Sequence, residues 1–218
     1  MEGKIGPVEE SKGTYRCSCT TPEGRVCFPS VFTARAMNAE SKPRYSCTIL
    51  LQKDDPAAMD FVRGLGKTIT EMARSKWPDT SIDSIEKCLY DGDTSTFTSG
   101  PKAGQLRKNS YPEMEGCFVL TCNKREDSGA PAVVDQSVQP ILNQGDFYAG
   151  CYGRMSFQLY TNSTGKLRVA GGLSNVQKTR EGEPLGNAGS RPEDDFGPVS
   201  APASGGEAEP ASSSDIFG

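Results

Sequence analysis

The stretch 147–160, FYAGCYGRMSFQLY, alternates two kinds of side chain with a strict period of two. Successive strand residues point to opposite sides of a sheet. One side would carry Phe147, Ala149, Cys151, Gly153, Met155, Phe157 and Leu159, apolar apart from its glycine and therefore core. The other would carry Tyr148, Gly150, Tyr152, Arg154, Ser156, Gln158 and Tyr160. A helix would scatter both sets around its axis. The pattern predicts one long, half-buried strand with three tyrosines and an arginine turned outward.

The rest of the chain agrees with a mainly β fold. Segments 14–19 (TYRCSC) and 25–32 (RVCFPSVF) flank the turn-like Pro22-Glu23-Gly24, and 45–52 (YSCTILLQ), 117–122 (CFVLTC) and 132–134 read as further strands. A turn at 161–165 leads into 167–176 (LRVAGGLSNV), which pairs back on the long strand. A single helix interrupts the series. It is announced by Asp54-Asp55-Pro56, carries the stripe Ala58, Val62, Leu65, Ile69 and Met72, and ends at Trp77-Pro78. Residues 79–115 form a long polar loop, a length often reserved for function. Strands plus one helix predict a small barrel or sandwich.

Charge divides the chain. Residues 181–218 hold eight acids and one base, and residues 1–180 hold 23 bases against 20 acids, so a −7 tail follows a +3 body. The tail is rich in Gly, Pro, Ser and Ala, with Phe196 and Ile216-Phe217 as apolar islands, and cannot build a core. The expected division is a binding domain at 1–180 and a disordered acidic tail at 181–218. No apolar run is long enough to span a membrane and no leader opens the chain, which predicts a cytosolic protein. The eight cysteines are then expected to be free thiols, several of them inside apolar strands.

An outward face of tyrosines and cations suits single-stranded nucleic acid. Unpaired bases stack on aromatic rings, and Arg and Lys neutralise phosphates. The candidates are Tyr148, Tyr152, Arg154 and Tyr160, with Lys166 and Arg168 from the partner strand. A second patch comprises Arg107, Lys108 and Tyr111 in the long loop, and Lys124 and Arg125 after strand 117–122. Tyrosine is also simply a good strand residue, so pattern alone does not decide.

Other chemistries fit less well. Gly64-Leu65-Gly66-Lys67-Thr68 has Phe61 where a phosphate loop needs glycine, and it lies within the helix. Cys17, Cys19, Cys27 and Cys47 lack paired zinc spacing, and the chain has no histidine. No cofactor is therefore expected. Asp91 and Asp93 leave a metal-dependent nuclease or resolvase as one alternative, and an Asp-Gly-Asp turn as its plain counterpart. A structural β-protein whose tyrosine face is a subunit interface is the other.

The segments FPSVFTARA, RYSCTILLQKDD, LYDGD, YPEMEGCFVLTCN, GDFYAGCYGRMSFQLY, GGLSNVQKTREGEPLG and DDF occur in this order across residues 25–196. In that order the chain resembles the phage single-stranded-DNA-binding proteins that adopt an OB-fold. The resemblance implies a five-stranded OB-like barrel that binds single-stranded DNA largely without sequence preference, without catalysis, during phage replication or recombination in the bacterial host. The cysteine-rich segment 15–27 departs from that pattern. The end of the chain is similar to the acidic tip of bacterial single-strand-binding proteins, which implies that Asp215, Ile216 and Phe217 dock to partner enzymes.

Overall fold

The computed structural model describes residues 2–36 and 41–185. In chain order its strands are β1 (Lys4–Ser11), β2 (Thr14–Thr20), β3 (Gly24–Arg35), β4 (Arg44–Gln52), β5 (Glu86–Lys87), β6 (Leu89–Asp91), β7 (Cys117–Arg125), β8 (Ala132–Val134), β9 (Tyr152–Asn162) and β10 (Arg168–Arg180). One helix, α1 (Pro56–Lys76), joins β4 to β5. Phe196 and the Asp215-Ile216-Phe217 end lie outside the described residues.

Five strands are linked in a ring. β3 pairs with β4, β4 with β7, β7 with β10, β10 with β9, and β9 with β3. All are antiparallel except β7–β10, where the parallel contact is a single pair, Gly172 opposite Asn123. The β9–β3 contact is also brief, Gly24–Gly153 and Arg25–Tyr152. The ring is thus an OB-like, partly open five-stranded barrel. β1 and β2 extend the sheet outward from β9.

The helix forms as its stripe requires. Asp55 caps it by accepting the Ala57 N–H at 2.9 Å, and Pro56 sits in the first turn. Ala58, Val62, Leu65, Ile69 and Met72 are buried, joined by Phe61 and Ala73. They pack with Ile49 and Leu51 of β4, Leu120 of β7, Met155, Phe157 and Leu159 of β9, and Val169 and Leu173 of β10. Gly64 lets β1 approach: a Cβ there would stand 2.9 Å from Ile5 Cδ1.

All eight cysteines are free thiols and seven are buried. Burial pushes the Cys47 and Cys88 thiols up to about 12 and that of Cys117 to about 11, so they remain protonated and act as small hydrophobes. Among the described residues no group of three or more His, Cys, Asp or Glu is arranged to hold a metal ion. No described helix is long and apolar enough to cross a membrane.

One strand expectation needs correction. The alternating segment does not begin at Phe147. Residues 147–151 form turns, with Phe147 and Cys151 still buried, and β9 starts at Tyr152. Gly150 (φ +110°) leaves no room for a Cβ beneath the Glu183 carbonyl, so the chain bends there to admit residues 183–185. The amino-terminal residues, to which the sequence assigned no element, form β1. Lys12 and Gly13, both with positive φ, make a two-residue hairpin turn between β1 and β2.

Candidate nucleic-acid interface

The register between β4 and β7 sets out a two-sided surface. Cys47, Ile49 and Leu51 of β4, and Leu120 and Cys122 of β7, face the core. The alternate residues form outward pairs: Arg44–Arg125, Ser46–Asn123, Thr48–Thr121, Leu50–Val119 and Gln52–Cys117. At the apolar end, Leu50, Val119 and Cys117 make a second small core with Cys27 and Met114, overlaid by Tyr90, Tyr111 and Leu185. The long loop therefore does not hang in solvent. It folds over one half of this face and leaves the polar half open.

The open half is a cleft of about 510 Å³. Its floor is Ser46, Thr48, Thr121 and Asn123, and its walls include Phe28, Tyr90, Phe97, Arg107 and Tyr111, with Arg35, Lys42 and Arg44 on the rim. The rings form one cluster. Phe28 and Tyr111 meet edge to face with centroids 4.9 Å apart, and Phe97 lies 6.2 Å from Tyr111. The Arg107 guanidinium sits 5.1 Å from the Phe97 centroid and 5.4 Å from that of Tyr90. Its Nε donates to the Thr96 carbonyl at 3.2 Å, which fixes it against the loop.

Phe28 reaches this cluster through local strain. It holds φ +47° at an irregularity in the β3–β4 register between Cys27 and Ser30. A bulge re-aims a side chain that regular alternation would place elsewhere. A bulky residue at positive φ costs free energy and is retained where the surroundings enforce it, commonly at functional sites. The ring remains 44% exposed.

Charge is arranged with equal asymmetry. Arg35, Arg44 and Arg125 stand side by side across β3, β4 and β7. Arg125 is paired with Asp127 at 3.3 Å. Arg35 and Arg44 have no ion pair among the described residues. Below the cleft the balance reverses. Lys53 Nζ lies 2.6 Å from Asp91 and 2.7 Å from Asp93, and Lys108 pairs with Asp93 at 3.6 Å and Glu115 at 3.0 Å. The Lys53 hydrogen bond, then the Gly116 N–H, hold the Asp93 carboxyl below its ordinary value. Lys53 is itself raised, because its bonds to both carboxylates outweigh burial, which acts the other way. A lysine thus stands where two carboxylates would otherwise converge on a cation.

The residues singled out from sequence fall into two places. Arg107 and Tyr111 line the cleft, and Arg125 borders it beside Arg44. Lys108 belongs to the Asp93–Glu115 cluster. Lys124 shares the parity of buried Cys122, and its Nζ donates to the Ala130 carbonyl at 3.3 Å. The β9 set lies on a separate outer surface. Tyr148 has its hydroxyl 2.7 Å from Glu181 and 2.8 Å from the Gly182 carbonyl. Tyr152 carries the Arg180 guanidinium 3.2 Å from its ring centre, and Arg180 also bonds Glu23. Arg154 donates to the carbonyls of Thr21 and Glu2. Tyr160 is half-buried between Arg16 of β2 and Ala170 of β10. Lys166 pairs with Glu86 at 2.9 Å, and Arg168 is half-buried on β10 opposite Glu86. Phe28, Arg35, Lys42, Arg44, Tyr90 and Phe97 were not visible as a site in the sequence. Only Phe28-Pro29, an awkward pair inside a strand, hinted at one of them.

Barrel, cleft and arginine row together define an OB-like protein, a class whose second- and third-strand face, here β4 and β7, commonly receives oligonucleotides. Residues 17–207 match the model of the family described as Enterobacter phage Enc34, ssDNA-binding protein, and the chain belongs to that family. The fold is similar to the solved single-stranded DNA-binding protein from bacteriophage Enc34 in complex with ssDNA, with TM-score 0.63 and 18% identity, covering 84% of this chain and 99% of that one. Two further structures of that phage protein agree. One carries a C-terminal truncation (TM-score 0.61, 17% identity, 84% and 98% covered), and the other gives TM-score 0.61 at 17% identity with 88% and 98% covered. No curated protein sequence matches the chain significantly.

Proposed function

We propose that this chain binds single-stranded DNA in the cleft over β4 and β7, largely without sequence preference and without catalysing a reaction. The observation that carries this reading is the Arg35–Arg44–Arg125 row beside the Phe28, Tyr90, Phe97 and Tyr111 cluster. Phosphates satisfy the arginines and unpaired bases stack on the rings, whereas duplex bases are already stacked. The family and the DNA-bound phage relative support it. Arg107, Tyr111 and Arg125 are assigned here to the primary contact. Tyr160 on β9, Lys166 in the turn that follows it and Arg168 on β10 are assigned to a flanking contact, with Tyr148, Tyr152 and Arg154 holding the surface around it and Lys108 and Lys124 the segments beside the cleft.

In the host cytoplasm the protein would shield single strands during phage DNA replication or recombination. The tail, proposed as residues 181–218, would recruit replication or recombination enzymes through Asp215, Ile216 and Phe217. Deleting residues 197–218 is expected to leave DNA affinity equal or higher, and a large loss would place the tail in the DNA site. Against a nuclease stands Lys53, whose ammonium already neutralises Asp91 and Asp93.

Fluorescence anisotropy with single-stranded, duplex and RNA oligonucleotides at two salt concentrations tests the reading. The expected result is a preference for single strands that weakens as salt rises. Equal affinity for duplex, or affinity indifferent to salt, would overturn it.

A further inference from the structure

The cleft floor carries two polar pairs in register across β4 and β7. Thr48 and Thr121 bond each other, Oγ1 to Oγ1, at 3.0 Å. One step along the strands, Ser46 and Asn123 face each other in the same register and line the same cleft. Both are half-buried, and neither side chain makes a hydrogen bond within the described residues. The Asn123 amide therefore keeps its donors and its acceptor open to the cleft, where a bound group can take them up. The surrounding walls are aromatic, and strand side chains stand upright from a sheet. A flat group that slides between such walls would meet the floor with its edge.

Resting on the assignment of single-stranded DNA to this cleft, we propose that bases enter it edge-first and that Asn123, assisted by Ser46, hydrogen-bonds the Watson–Crick edge of one unpaired base. An asparagine amide sets one acceptor beside two N–H donors. Each base offers an adjacent donor and acceptor on that edge: N6–H and N1 of adenine, N4–H and N3 of cytosine, N1–H and O6 of guanine, N3–H and O4 of thymine. Rotation of the amide by half a turn exchanges its two sides, so one side chain serves all four bases. The contact therefore tolerates any sequence and still requires the edge to be free. It excludes paired bases by hydrogen-bond chemistry, in addition to the stacking argument.

N3-methylthymidine isolates this contact, because it keeps the charge and the stacking ring and loses the N3–H. Anisotropy titrations would compare oligothymidylate of about 12 nucleotides with the same length of N3-methylthymidine, for the wild type, Asn123→Ala and Asn123→Ser. The wild type is expected to bind the methylated oligomer about 10-fold more weakly. Both variants are expected to bind plain oligothymidylate more weakly than the wild type and to lose most of the discrimination. Wild-type affinities within about twofold of each other, or variants that discriminate as the wild type does, would overturn the edge contact while leaving the cleft in place. The cleft itself is tested by Arg44→Ala and Tyr111→Ala on plain oligothymidylate. If neither weakened binding, both the cleft and the edge contact would fall.

Discussion

Arg35 on β3 and Arg44 on β4 stand directly opposite each other, two exposed guanidinium groups without an ion pair among the described residues. Like charges placed across a strand pair destabilise it. Here a third arginine, Arg125, follows on β7 opposite Arg44. Such a row is unfavourable for folding alone and becomes favourable when a polyanion lies across it.

Arg44→Ala should therefore weaken binding to single strands and flatten its salt dependence. Each phosphate contact to a single strand contributes a slope of about −0.7 in log K against log salt. The variant is expected to lose about that much slope, with a melting temperature equal to or above that of the wild type. Weaker binding at unchanged slope would mean that Arg44 does not touch phosphate.

Tyr111 joins Phe28 and Phe97 in the wall of the cleft. Base stacking on an aromatic ring contributes about 1–3 kcal/mol. Tyr111→Ala is expected to lower affinity by about 5- to 150-fold, and Tyr111→Phe to retain most of it. Because Tyr111 also covers the second small core, Phe97→Ala provides the control for folding, with a similar loss expected. Full affinity in both alanine variants would remove the stacking role.

Binding should be insensitive to pH near neutrality. The chain contains no histidine, and the cleft cations are Arg35, Lys42, Arg44 and Arg107. Arginine and lysine keep their charge through the neutral range. Affinity measured from about pH 5.5 to 8.5 is expected to stay constant, and a titration step within that range would contradict the assignment.

Stability, by contrast, should depend on acid through Lys53. The Asp93 carboxyl is held below its ordinary value, so its contribution is full above that value and is lost as pH falls through the depressed one. Lys53 is raised, so its contribution persists through neutrality and is lost only in strong alkali. Lys53→Met is expected to lower the melting temperature at pH 7, with the gap to the wild type narrowing below about pH 4. A gap that stays constant down to pH 3 would show that the cluster does not stabilise the fold in this way.

Where side chains repeat with one period, the sequence revealed the structure. The α1 stripe and the alternation from Tyr152 to Thr161 depend only on local spacing, and both are buried as expected. The β1 strand escaped because its exposed, Pro-containing run KIGPVEES shows no apolar side. The cleft escaped for a different reason. Its rings come from a bulge at Phe28, from Tyr90 on a three-residue strand, and from Phe97 and Tyr111 in a long loop. Their convergence is set by how residues 92–116 fold over β4 and β7, a long-range arrangement without local period. The tyrosines of the β9 region were conspicuous because they alternate. Two of them, Tyr148 and Tyr152, are engaged by Glu181, Gly182 and Arg180 from the end of the barrel.

Ultraviolet crosslinking of oligothymidylate to the full chain, with the attached peptides mapped by mass spectrometry, asks most directly where the DNA lies. The expected adducts fall on Phe28, Tyr90, Phe97 or Tyr111. Adducts confined to Tyr148, Tyr152 and Tyr160, with none in residues 90–111, would contradict the placement of DNA over β4 and β7.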